Sequence, residues 1–188
     1  MIESPLSQPL TVDNFKIIAI TSPLFFEGEA ARIQQILENK DADFVHIRKP
    51  GSSSEQIEKL ISEIDSSFYP KLKLHDYFTL AKKYNLGGVH INSRGGLEDN
   101  VSGAVSKSCH SIEELNSSAA FEYVFLSPIF DSLSKPGYKA KFDLQSLKEI
   151  VHGKNVIALG GVTPDKFDIL KSTGFAGAAM LGYFFPSS

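Results

Sequence analysis

VIALGGVTPDKFDILKSTGFAGAAMLGYFF, running from Val156 to Phe185, is the stretch whose reading decides the fold. It opens with an apolar run, Val156 to Gly161, and closes with another, Gly177 to Phe185, while Pro164 to Thr173 between them reads as a helix. A strand, a helix and a second strand make a βαβ unit, and its strands run parallel because such a crossover needs a dozen or more residues. The same alternation extends towards the N terminus. Strands are predicted at IIAIT (Ile17 to Thr21), FVHIRK (Phe44 to Lys49), KLKLHD (Lys71 to Asp76), GVHI (Gly88 to Ile91), AVSKSCH (Ala104 to His110) and YVFLSPIF (Tyr123 to Phe130).

Helical patterns fall between most of them. Gly28 to Asn39 carries Ala31, Ile33, Ile36 and Leu37. Ser53 and Ser54 offer an N-cap to a helix over about Glu55 to Ser66, whose Ile57, Leu60, Ile61 and Ile64 share one face. Tyr77 to Asn85 reads as a short helix, and Asp143 to Val151 as another. Ser111 with Glu114 three residues later has the form of a capping box. Eight strands of this kind close naturally into a (β/α)8 barrel. The chain has 188 residues, fewer than the roughly 250 usual for such barrels, so some helices must be short or missing. NSRGGLEDNVSG, Asn92 to Gly103, lacks apolar periodicity and is the expected place for a lost helix. The reading is therefore an α/β fold, one compact barrel domain over residues 1–188, with a doubly wound open sheet as the alternative.

Composition narrows the function classes. Lys and Arg number 19 against 22 Asp and Glu, a formal charge of −3 that leaves no nucleic-acid footprint. Hydrophobic residues at 42% and charged residues at 22% are globular proportions and exclude a disordered or coiled-coil chain. One cysteine, Cys109, excludes an intrachain disulfide and a cysteine-based zinc site. MIESPLSQPLTVDNF has neither a basic nor an apolar leader segment, and no run of about 18 apolar residues occurs. A cytoplasmic protein without membrane attachment is expected.

In a barrel of this type the working residues stand at the C-terminal strand ends, and here those ends are polar. Strand two ends in His46-Ile47-Arg48-Lys49, strand three in His75-Asp76, strand four in His90-Ile91-Asn92 and strand five in Ser108-Cys109-His110. Alternation puts His46 and Arg48 on one side of strand two and Lys49 on the other. A guanidinium at the mouth needs an anion, either a phosphate or, in the plainer reading, the Asp76 carboxylate. Gly160-Gly161 and Leu181-Gly182 follow strands seven and eight, the usual phosphate-holding loops of a barrel. His75, His90 and His110 lie on three strands without the i, i+4 spacing of helical ligands, so a zinc site is not expected. Asp76 suits Mg2+, which takes one or two carboxylates with phosphate oxygens, and Glu98 and Asp99 could reach the same mouth.

These residues, in order, resemble the thiamin phosphate synthase and thiazole tautomerase superfamily. HIRKP, HD-x-x-x-x-A, GVHI, S-x-H-S-x-E-E, S-P-I-F-x-S-x-S-K, ALGGVTPD and the closing GAAMLGYFF carry the likeness. The resemblance implies a transferase that joins a hydroxymethylpyrimidine diphosphate to a thiazole phosphate and releases diphosphate, with Mg2+ as cofactor. It implies diphosphate binding by Arg48 and metal binding by Asp76, with His75 and Asp76 where the family has Asn-Asp. Ser108 would contact the leaving group or pyrimidine, and Ser132, Ser134 and Lys135 would close over the phosphates. Gly160, Gly161, Leu181 and Gly182 would offer backbone donors to the thiazole phosphate. Lys49 joins Arg48, Ser108 and Lys135 as a catalytic candidate, and His46, His75 and His90 join the substrate-binding set.

The chain also departs from the family pattern. Pro50 stands where a lysine is usual, with Lys49 one position early, and Asn92-Ser93-Arg94-Gly95 replaces a G-Q-x-D segment that carries a second metal aspartate. His46 replaces a glutamine and His75 an asparagine. Two rivals follow: a degenerate barrel that binds a phosphorylated heterocycle without turnover, and a tautomerase, whose strand-six histidine corresponds here to the Ser127-Pro128 region. The expected partners are small phosphorylated heterocycles, with neither nucleic acid nor membrane, and with a homodimer as the alternative to a monomer.

Overall fold

The computed structural model describes residues 14–92, 103–131 and 139–185. Its elements follow the order β1 (Lys16–Ile20), α1 (Glu29–Glu38), β2 (Phe44–Ile47), α2 (Ser54–Ser62), β3 (Leu72–Leu74), α3 (Phe78–Lys83), β4 (Gly88–Ile91), β5 (Ala104–Cys109), α4 (Ile112–Asn116), β6 (Tyr123–Leu126), α5 (Leu144–Val151), β7 (Val156–Leu159), α6 (Phe167–Thr173) and β8 (Gly177–Leu181). Each strand is parallel to the next, and β1 pairs with both β2 and β8, so the sheet closes on itself in sequence order. That closure leaves no edge strand and overturns the open-sheet alternative.

Period-2 alternation sorts the strand residues into two cores. Ile17, Ala19, Val45, Ile47, Leu72, Leu74, Val89, Val124, Leu126, Val156, Ala158, Ala178 and Met180 face outward and pack with helix residues such as Ile33, Leu37, Ile57, Ile61, Leu147 and Leu170. A smaller apolar group inside the ring comprises Ile18, Ile20, Tyr123, Phe125, Ile157 and Ala179. The interior also holds polar residues, among them the fully buried His46, Lys73, His90 and Ser106.

Element ends follow local chemistry. Ser53 caps α2 and Gln56 returns the bond to the Ser53 N–H, a complete capping box. Ser111 caps α4 through the Glu114 N–H, whereas the Glu114 carboxylate bonds the His110 N–H at 2.6 Å. The helix read to Ser66 stops at Ser62, because Asp65 caps a separate 3-10 turn, Ser66–Lys71, by accepting from the Ser67 N–H. Pro164–Lys166 is likewise 3-10 before α6 begins. The apolar run after β8 leaves the sheet at Gly182, where φ is 81°. Most of the expected lost helix, Asn92 to Gly103, lies outside the described residues.

Candidate active site

Parallel strands in register bring the polar strand ends to one rim. The Thr21 hydroxyl, just past β1, accepts from the Arg48 N–H at 2.9 Å and donates to the Arg48 carbonyl at 3.2 Å. These two hydrogen bonds fix the backbone of Arg48 at the mouth, where its side chain is half-buried. Asp76, also half-buried, stands two residues past the end of β3. The Asn92 amide beyond β4 donates to the His75 carbonyl at 3.1 Å, joining the ends of β3 and β4. Ser108 on β5 completes this side of the rim through a 2.8 Å contact with His90 Nε2.

Beneath the rim the histidines assemble differently from the sequence expectation. His46 Nδ1 lies 3.0 Å from His75 Nε2, and His46 Nε2 lies 2.6 Å from the Tyr123 hydroxyl. The His75 and His90 rings stack with centroids 4.3 Å apart. His46 and His90 are fully buried and His75 is 5% exposed, so of the three only His75 reaches towards solvent. His46 and His90, expected to touch substrate, support His75 and Ser108 from below instead. His110 stays apart, with Nδ1 3.2 Å from the Ser127 hydroxyl. The i, i+4 criterion belongs to helices; three adjacent parallel strands bring rings together at any spacing that register allows.

Burial sets the electrostatics of this interior. Desolvation holds His46 well below the ordinary imidazole range, with His90 and Lys73 adding smaller repulsions. The same burial brings His90 down to about 3, with Lys73 next in effect. Both rings are neutral at physiological pH. Lys73 lies deeper, paired with Glu122 and 4.6 Å from the Tyr123 ring centroid, and desolvation lowers its ammonium too. Sequence reading missed Lys73 and Tyr123. The available signal was the alternation itself, which places both inside a closed barrel.

Lys49 requires a correction. It turns outward from the barrel, and its ammonium meets both Glu29 carboxylate oxygens at 2.6 and 2.7 Å and the Ser22 and Leu24 carbonyls at 2.9 and 2.8 Å. Three N–H donors are shared among four oxygens inside a pair whose side chains are 0% and 2% exposed. The lysine ties α1 and the loop after β1 to the end of β2, which leaves it no donor for a substrate phosphate in this arrangement.

The glycine loops also show their own packing. Gly160 and Gly161 have φ of 97° and 61°, and a Cβ on Gly161 would lie 2.2 Å from the Asp131 carbonyl oxygen. Their bareness lets the chain after β6 run alongside, with the Ile129 and Phe130 N–H groups donating to the Leu159 and Gly160 carbonyls at 3.0 Å each. The segment starts at a cis Ser127–Pro128 bond. Gly182 is open, since a Cβ there would meet nothing within 4 Å, and it sits beside Leu181 at 44% exposure. Ser132, Ser134, Lys135, Glu98 and Asp99 lie outside the described residues.

The profile of the thiamine monophosphate synthase family matches residues 17–183. The chain belongs to that family. A thiamine-phosphate synthase of Limosilactobacillus reuteri is 26% identical over 127 residues, which cover 62% of this chain and 59% of that protein. The chain thus spans about three fifths of that relative. The crystal structure of a thiamine phosphate pyrophosphorylase from Bacteroides thetaiotaomicron superposes with a TM-score of 0.78 at 34% identity, covering 89% of this chain and 83% of the other. A thiamine phosphate pyrophosphorylase from Pyrococcus furiosus, 18% identical, shares the fold with a TM-score of 0.72 over 90% of this chain and 87% of its own. The thiamine monophosphate synthase profile covers the whole barrel, from β1 to just beyond β8. No helix among the described residues is long and apolar enough to cross a membrane.

Proposed function

We propose that this chain is a cytoplasmic transferase that couples hydroxymethylpyrimidine diphosphate to thiazole phosphate and releases diphosphate. In this reaction the carbon–oxygen bond to diphosphate breaks, the electron pair leaves with the diphosphate, and the thiazole nitrogen lone pair forms the new carbon–nitrogen bond. No general base is needed for that step, so the task of the protein is to hold two phosphate-bearing molecules and to stabilise the departing charge. The observation that carries the reading is the rim itself, where Arg48, Asp76, Asn92 and Ser108 end consecutive strands opposite the glycine loops after β7 and β8.

Arg48 supplies fixed positive charge to the diphosphate, held in place through Thr21. Ser108, supported by His90, offers a hydroxyl to the leaving group or the pyrimidine. Ser132, Ser134 and Lys135, which follow β6 in the sequence, would bring hydroxyls and an ammonium to the phosphates, while Gly161 and Gly182 would present backbone N–H groups to the thiazole phosphate. Asp76 brings one hard oxygen ligand to the mouth, which fits Mg2+ completed by water and diphosphate oxygens. Bound there, the ion neutralises diphosphate charge. The loss of Lys49 to its ion pair favours one alternative, a barrel that binds these phosphates without coupling them.

A coupling assay with both substrates, with and without Mg2+, tests the reading. Thiamin phosphate formation is expected, dependent on Mg2+ and reduced about 10²–10³-fold by Arg48→Ala, as for loss of one charge-stabilising donor. Asp76→Asn should remove the response to Mg2+. Tight binding of both substrates with no product would replace the transferase by the binder, and unchanged turnover in Arg48→Ala would remove Arg48 from the mechanism.

A further inference from the structure

We infer that His46, His75 and His90 form a binding site for one borderline divalent transition-metal ion, Zn2+ in the first instance, inside the barrel and below the mouth. One ring nitrogen of each residue lies within 4.8 Å of the corresponding nitrogens of the other two, and all three rings are buried. His46 and His90 stand in β2 and β4, and His75 is the residue just past β3, where its N–H donates to the Ile47 carbonyl at 3.2 Å; the three strands are consecutive in the ring. Imidazole nitrogen selects Zn2+, Cu2+ or Ni2+ over Mg2+, which separates this cluster chemically from the carboxylate of Asp76.

The surrounding groups form the outer shell that such a site needs. A histidine that ligates a metal almost always donates its second ring N–H to a fixed acceptor. Behind His46 Nε2 stands the Tyr123 hydroxyl at 2.6 Å. Behind His90 Nδ1 stands the Ser106 hydroxyl at 2.9 Å, which can give its own proton to the Val89 carbonyl at 3.2 Å and so keep its oxygen as an acceptor. These partners turn the lone pairs of His46 Nδ1 and His90 Nε2 inward. His75 Nε2 already faces His46 Nδ1 at 3.0 Å, where the two nitrogens share a proton that an ion would replace. Tetrahedral Zn2+ with bonds of about 2.0–2.1 Å holds its nitrogens about 3.3–3.4 Å apart. That pair need open by only a few tenths of an ångström while the third ring closes in. Ser108, 2.8 Å from His90 Nε2, stands on the side where a hydroxyl or water from the mouth would take the fourth position.

The test uses the full chain after treatment with a chelator. Titration with Co2+ should give one equivalent bound with the visible absorption bands of tetrahedral coordination, displaced by Zn2+. Because loss of an outer-shell partner alone costs about 10–100-fold in affinity, Tyr123→Phe should weaken binding by that factor and His46→Gln by more. His75→Asn serves as a second ligand variant should His46→Gln not fold; each replaces one imidazole by a polar amide. Asp76→Asn and His110→Ala should leave the equivalent intact. Absence of the tetrahedral bands in the wild-type chain, undiminished binding by both ligand variants, or loss of the equivalent on His110→Ala would overturn the inference. None of these readouts depends on turnover, so failure of the transferase reading leaves them interpretable.

Discussion

Replacing Glu29 by Gln tests the Lys49 assignment most directly. Glu29 and Lys49 are almost completely enclosed, and the ammonium touches four oxygens between 2.6 and 2.9 Å. Burial raises the Glu29 carboxyl pKa despite Lys49 beside it, and burial lowers that of Lys49 despite Glu29. In both cases desolvation outweighs the attraction of the partner. The pair therefore adds little net stability, yet breaking it strands a charge that two neutral carbonyls cannot match. On the scale of buried pairs that loss is about 3–5 kcal/mol, a large share of the about 5–15 kcal/mol that holds a domain folded. Urea melts at pH 7 should show the midpoint fall with no change in slope. The double variant Glu29→Met, Lys49→Met should recover most of the loss, since apolar replacement of a buried pair is often neutral or stabilising, and it should keep the activity of the parent. A single variant that loses less than about 1 kcal/mol, or a double variant as unstable as the two singles summed, would refute the reasoning; a well-folded double variant devoid of activity would return Lys49 to the catalytic set.

Three further predictions concern the barrel. For His90 the unfolded chain takes up a proton below 6.5 while the folded chain resists until about 3, so the unfolded state binds more protons and stability falls as pH drops through that window. From pH 6.5 to pH 5 the loss is roughly 2 kcal/mol for this residue, with His46 adding to it in the same direction, and denaturant melts of metal-free protein should show the slope flatten in His90→Asn. Gly161→Ala should destabilise by roughly 1–3 kcal/mol, from the left-handed backbone and the clash with the Asp131 carbonyl, and a thermal melt no lower than the parent would contradict that geometry. Ile157→Ala, inside the ring and fully buried, should cost about 2–5 kcal/mol in the same melts.

The fold was legible because each strand is a short apolar run and each helix has an apolar face, so periodicity alone located β4 to the residue and the remaining strands to within a few. Errors gathered where apolar character continues past the last ladder bond. YVFLSPIF leaves the regular strand at Ser127, before a proline that has no N–H to donate, and GAAMLGYFF leaves it at Gly182 while Phe184 and Phe185 remain buried. The candidate rim was legible in outline, since the order of the strands fixes which strand ends meet there. Lys49 was misjudged because alternation gives the side of a strand and not the partner waiting there: Glu29 is 20 residues away and enters from α1. The histidine cluster was hidden for the opposite reason. Positions 46, 75 and 90 follow no spacing rule, and only the register of β2, β3 and β4 makes them neighbours.

Inside the ring, Glu122, Lys73, Tyr123, His46 and His75 form a continuous polar column from the lower opening to the mouth. Its members are drawn from β2, β3, β6, the residue after β3 and the residue before β6, so the two halves of the barrel are locked together by donor and acceptor matching as well as by shape. A chimera that takes β1 to β4 from this chain and β5 to β8 from a relative with different interior polarity would set unmatched hydrogen-bonding groups face to face. Such a crossover at the barrel's midpoint should therefore destabilise the fold even where exchange of its surface loops would not.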